Sequence, residues 1–199
     1  EFINRDILSA GDGLRGLANI WIPTAFATTY LTSRPASEID PLGTGYISSG
    51  AIFSDNQVPA NTLIPHSNPA KNIKPNTDRI TIMSADPNFT PVPLGSWHTL
   101  YYSGAVRLDG FDMTKINVGE IYFISDGISG TFGTVTAKDP WSPILYWQDG
   151  DAYGLNRIGW SGSLATVTNF SNSPTTFRRI QIIQYFVDED DKSIRRVFG

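Results

Sequence analysis

The sequence predicts an α+β fold: one N-terminal α-helix packed on a mostly antiparallel β-sheet domain with long loops. Three observations carry that expectation. Ile3, Ile7, Ala10, Leu14 and Leu17 recur at helical spacing within residues 1–17. Residues 18–77 are rich in Pro, Ser, Thr, Asn and Gly and show no sustained period. Residues 78–199 carry short apolar–polar alternations separated by turn residues. At 199 residues, 40% of them hydrophobic and 12% aromatic, the chain fits a single domain, 1–199, with a sizeable core.

The helix comes first. No Ser, Thr, Asp or Asn cap precedes Glu1, and the apolar pattern is already in phase at the start. That reads as a chain trimmed upstream of its native beginning. Gly11, Gly13 and Gly16 would fray its far end, because repeated glycine is costly inside a helix. Burying the stripe against the later strands would contribute roughly 1.5–3 kcal/mol per large apolar side chain.

The second region has only brief apolar bursts, at Tyr46-Ile47 and Ala51-Ile52-Phe53. A structureless loop of that length is unusual in a compact domain, so it hides short strands or carries a binding surface. In the third region, residues 79–83 alternate as a half-buried strand should. Residues 97–108 are β-prone but broken by Ser103-Gly104, where a bulge fits. Residues 120–124 end at the turn signal Asp126-Gly127, and residues 134–137 and 144–147 follow around Asp139-Pro140. Residues 179–187 lead into four acidic residues, and residues 194–198 would return antiparallel as a hairpin.

Charge and composition exclude several classes. A net charge of -4 gives no electrostatic footprint for nucleic acid or an anionic membrane. The absence of cysteine removes disulfide scaffolds, thiol nucleophiles and thiolate metal sites, without fixing the compartment. No run of eighteen apolar residues and no signal peptide is present.

The chemical motifs are weak. Gly11, Gly13 and Gly16 match G-x-G-x-x-G, but at the far end of a helical pattern rather than between a strand and a helix. Asp149-Gly150-Asp151 opens like a calcium loop, yet Tyr153 and Trp160 stand where oxygen ligands are needed. Asp188, Glu189, Asp190 and Asp191 have the ligand type for calcium, although adjacent carboxylates more often mark a solvated hairpin tip. His66 and His98 lack any zinc-protease pattern, and residues 159–163 miss the nucleophile elbow by their last residue. A hydrolase built on His98 or the acidic run has the least support, and no catalytic residue is expected. Trp141 and Trp160 sit among Gly, Pro and Ser and are the best candidates for exposed ligand aromatics. Asn88-Phe89-Thr90 and Asn169-Phe170-Ser171 are sequons that matter only in a glycosylating host.

Residues 2–14 carry Arg5, Asp6, Ile7, Ala10, Gly11, Gly13 and Leu14 in an Arg-Asp-Ile-x-x-Ala-Gly-x-Gly-Leu run. That run resembles the stretch after the membrane segment of PilW-like type IV minor pilins, relatives of the J-type pseudopilins of type II secretion. Residues 77–82, residues 119–156 with their Gly-Glu-Ile strand and Gly150–Asn156 turn, and the closing hairpin with Arg178-Arg179 and Arg195-Arg196 look similar too. Residues 31–75 match nothing in that family, and the leader, processing site and hydrophobic half-helix are not in the chain. The resemblance implies the C-terminal half of a long pilin-type helix, and an assembly subunit rather than an enzyme, placed at a pilus tip or in a priming complex. Its partners would be other pilin or pseudopilin subunits. Its anchorage would be the inner membrane, through a helix absent from this chain, and its destination the cell surface. An adhesin-like binding module, using residues 23–75 and exposed aromatics, is the competing reading. A type II secretion pseudopilin is the other. No cofactor is expected, calcium at the acidic run being the one candidate.

Overall fold

The computed structural model describes residues 2–14, 19–48, 50–64, 69–94, 99–100, 104–108, 110–125, 129–156 and 175–199. In chain order the elements begin with α1 (Phe2–Leu8), β1 (Asn19–Pro23), α2 (Thr24–Phe26) running into a π-helical turn (Ala27–Leu31), and α3 (Ala36–Ile39). Then come β2 (Tyr46–Ser48), β3 (Ile52–Asp55), β4 (Arg79–Ala85), β5 (Val92–Leu94), β6 (Thr99–Leu100) and β7 (Ala105–Arg107). The chain closes with β8 (Ile121–Ser125), β9 (Ser129–Thr134), β10 (Ala137–Lys138), β11 (Ile144–Tyr146), β12 (Thr175–Val187) and β13 (Ser193–Phe198).

This architecture overturns the α+β expectation. Strand accounts for 39% and helix for 14%, in a large curled mixed sheet with only short helices. The helix expected over residues 1–17 is seven residues long. Gly11 and Gly13 adopt φ of +73° and +77°, a left-handed conformation that no helix can continue through.

The pivot of the large sheet is β12, thirteen residues rich in Thr, Ile, Phe, Tyr and Val. Its first half pairs antiparallel with β5 and β8, its second half with β4 and β13. The main path runs β2-β1-β9-β8-β12-β4-β3. Among the described strands the β1–β9 pairing alone is parallel. A smaller sheet, β10-β11-β7-β6, stands beside it.

Side chains alternate across β12, so its two faces feed different cores. Ile180 and Ile182 join Ile22, Phe26, Ala27 and Leu31 in the first core. Thus residues 18–77, featureless by period, supply buried side chains as well as loops. The buried Gln184 donates to the Tyr30 carbonyl and to Thr81, tying the π-helical turn to the sheet. Phe177 on the opposite face stacks on Tyr122 at 4.6 Å and meets Trp147 edge-on at 5.8 Å, joining the two sheets in a second core. Phe186 closes a third, small cluster over Val58, Ile64 and Ile73. Gly130 is required in β9, since a Cβ there would lie 1.9 Å from the Phe123 ring.

Candidate functional site

The motifs that lie far apart in the sequence converge where α1 meets the sheet. α1 rests on the β12 face opposite the first core. Its only fully buried side chain is Asp6, 3% exposed. Asp6 Oδ2 accepts a hydrogen bond from the Tyr185 hydroxyl at 2.6 Å and from Arg195 Nε at 2.7 Å. Arg195 Nε also lies 3.1 Å from the Tyr185 hydroxyl, and Arg5 approaches Asp6 Oδ1 at 3.3 Å. Register explains the meeting, because Tyr185 and Arg195 are direct partners across the β12–β13 hairpin. The Phe2 ring lies under both guanidiniums, 5.2 Å from Arg5 and 5.9 Å from Arg195.

Burial alone would raise the Asp6 carboxyl, but the Arg195 and Tyr185 hydrogen bonds outweigh it and hold it below the usual carboxylate range. Burial and the Asp6 contact push the Tyr185 hydroxyl up. Asp6, Tyr185 and Arg195 therefore form a charge-assisted triad, a latch between α1 and the β12–β13 hairpin.

Beyond α1 the chain turns over the sheet edge. Gly11 N–H donates to the Met83 carbonyl at 2.9 Å and Ala85 N–H to the Asp12 carbonyl at 3.0 Å, prolonging the edge beside β4. A Cβ on Gly13 would lie 3.0 Å from the Arg178 side chain. So Gly11 and Gly13 serve a backbone exit, and Arg178 of the closing motif packs on the opening one. Arg179 bonds Asp86 at 2.7 Å and Glu120 at 3.3 Å, with Tyr122 donating to Glu120 at 2.6 Å. That network joins the Gly-Glu-Ile strand to the closing hairpin.

The expected helix stripe is split. Ile3 and Ala10 are half-buried, Leu14 is buried in the first core, Ile7 is 41% exposed, and Leu17 lies outside the described residues. Phe2 and Leu8 are 63% and 76% exposed, leaving α1 with an outward apolar flank. Recesses of about 370 and 440 Å³ flank the helix. The first is apolar, between Phe2, Ile80, Val187 and Ile194; the second is more polar, with Arg5, Asp12, Gln181 and Arg195 on its walls.

The remaining candidates resolve locally. Asp188 Oδ1 accepts from Asp190 and Lys192 N–H, and Asp190 and Asp191 pair with Lys71 and Lys74, so the acidic tip is braced by its own neighbours. Glu189 accepts from Asn72. Asp151 accepts from the N–H groups of Tyr153, Leu155 and Asn156, which makes the Gly150–Asn156 segment a self-capped turn. Among the described residues no group of three or more His, Asp or Glu side chains is placed to hold a metal ion. Trp141 is 94% exposed on a turn held by Asp139, whose Oδ1 accepts from Trp141 and Ser142 N–H at 2.8 Å each. Trp160, His66, His98 and Asn169 lie outside the described residues. Asn88 is exposed in a turn capped by Asp86.

The feature missed in the sequence is the Asp6–Tyr185–Arg195 triad. Its only hint was an acidic residue beside an apolar stripe and an Arg pair at the far end of the chain. Compared with known proteins, the chain matches no family model, no curated protein and no solved structure. Among the described residues no helix is long and apolar enough to cross a membrane.

Proposed function

We propose that the chain is a minor pilin-like structural subunit, acting in the assembly of a type IV pilus or a related secretion pseudopilus. One observation carries the reading: α1 is fixed to the sheet through a buried polar latch while Phe2, Ile7 and Leu8 stay open to solvent. A helix latched in one seating with an apolar flank outward offers a neighbouring subunit a preformed contact surface. The convergence of the opening and closing motifs on that helix supports the same reading. In it, other pilins or pseudopilins are the partners, the inner membrane is the site before assembly, and the cell surface follows.

The test is in vivo cross-linking in the native host. Because the chain has no cysteine, Leu8→Cys provides a single reactive position. Cross-links to filament subunits, and loss of filaments on deleting the gene, are the expected result. Normal filaments after deletion, with no subunit captured, would sink the proposal. The coding sequence upstream of Glu1 bears on it too, through a short leader and about twenty apolar residues.

Trp141 favours a second reading, an adhesin-like module. A nearly fully exposed indole on a braced turn suits stacking against a sugar or a partner surface. A glycan array with Trp141→Ala as control separates the two, and the absence of any Trp141-dependent binding removes this one.

A further inference from the structure

Helix α1 is seated by one buried side chain, and that side chain is a carboxylate, while Ile7 beside it remains 41% exposed. We infer that the Asp6–Tyr185–Arg195 contact sets the rotational register of α1, holding the helix rolled away from the seating that its apolar side chains favour. In the latched register Ile3 and Asp6 are the side chains of α1 nearest the sheet, Ile3 half-buried and Asp6 buried. The apolar register would place Ile3 and Ile7 there. Exchanging residue 6 for residue 7 beside Ile3 shifts the mean inward direction by about 50°, half of the roughly 100° step per residue. The two seatings differ by a small roll, not by detachment.

The forces on that roll oppose each other. Burying the rest of Ile7 favours the apolar register. Keeping Asp6 on the Arg195 guanidinium and the Tyr185 hydroxyl favours the latched one. The Phe2 ring under Arg5 and Arg195 adds to the latch. Neither side of the balance is large, because Arg195 keeps 31% of its side chain exposed and can return to water. Whatever draws Arg195 away from Asp6 turns Ile7 inward and changes the surface that α1 presents. A residue 189 positions away in sequence thus governs what the N-terminal helix shows. The inference rests on the seating of α1 alone and holds whether or not the chain assembles into a filament.

Single cysteines in the otherwise cysteine-free full chain read the register directly. Ile3→Cys, Ile7→Cys and Leu8→Cys are each made alone and combined with Tyr185→Phe plus Arg195→Gln, and thiol-labelling rates are compared. Cysteine behaves as a small hydrophobe, so it keeps the preference of the site. With the latch partners removed, labelling at position 7 slows by about tenfold, the change that about 1.4 kcal/mol of added protection produces. Positions 3 and 8 keep their rates. Unchanged rates everywhere, or faster labelling at position 3 because α1 has detached, overturn the inference. Should the double variant not fold, Asp6→Ser leaves Tyr185 and Arg195 in place and gives the same three-position reading.

Discussion

Asp55→Ala is expected to be among the most damaging single changes in the molecule, and more damaging than removal of its ionic partner. Asp55 ends β3 opposite Arg79 at the start of β4, and their side chains are 2% and 1% exposed. Asp55 Oδ2 accepts from Arg79 Nε at 2.8 Å and from Ser33 N–H at 2.9 Å, while Oδ1 accepts from the Thr32 hydroxyl. Arg79 Nη2 lies 2.6 Å from the same carboxylate, off the hydrogen-bonding direction. Without Asp55 a buried guanidinium loses its described partner, which costs about 3–5 kcal/mol. That is a large share of the roughly 5–15 kcal/mol that holds a domain folded. For a chain of this size it lowers Tm by roughly 6–20 °C. Arg79→Met is milder by about 1–2 kcal/mol, because the carboxylate keeps Thr32 and Ser33 as donors. Asp55→Leu with Arg79→Met removes both charges and recovers most of the loss. Urea unfolding at neutral pH with a shared slope measures all three variants. The reasoning fails if Asp55→Ala costs under about 1 kcal/mol, or if Arg79→Met proves the worse of the two singles.

Other expectations follow from the same structure. Asn156→Ala removes a 3%-exposed amide that accepts from Thr134 N–H and donates to the Thr134 and Gln148 carbonyls. With three backbone groups left unpaired at about 1–3 kcal/mol each before relaxation, a loss of at least 2 kcal/mol in denaturant titration is expected. Gly130→Ala forces the Phe123 ring off β9 and should cost more than about 2 kcal/mol, whereas Gly150→Ala, with open space around it but a φ of +86°, should cost about 1 kcal/mol of backbone strain. Asp6 and Glu120 are both held below the ordinary carboxylate range, so their contribution is complete above about pH 5 and lost as the pH falls through their native values. Melting temperature should be nearly flat from pH 7 to 5 and drop below about 4, with a shallower drop in Asp6→Asn; an equally steep drop would refute a role for the latch.

Much of the β portion was legible because alternation is local. Residues 79–83 fall inside β4, residues 179–187 inside β12, and the acidic tip joins β12 to an antiparallel β13, as the pattern reads. The region before residue 78 was opaque for a physical reason. The π-helical turn buries Ala27 and Leu31, and α2 buries Phe26, at spacings that match neither a helical stripe nor a strand. Thr28 and Thr29, poor helix formers, hide it further, while their hydroxyls bond back to the Thr24 and Ala25 carbonyls. The N-terminal stripe misled because periodicity counts apolar residues only. It could not register that Asp6 would be turned inward by partners contributed from residues 185 and 195. A pairing across 189 positions leaves no trace in a single sequence.

The central position of β12 has a consequence for when this protein can fold. β4, β5 and β8 all hydrogen-bond to it, and the latch on α1 needs β13 beyond it. Both strands lie within residues 175–199, after all the other described strands. At about 5–20 residues per second, a ribosome takes roughly 5–20 s to pass from β4 to the end of β12. During that interval the earlier strands have no central partner, and the large sheet cannot close. The emerging sheet therefore stays open until β12 and β13 are made, a state that exposes unpaired edges to chaperones. Closure of the large sheet waits on the β12–β13 hairpin.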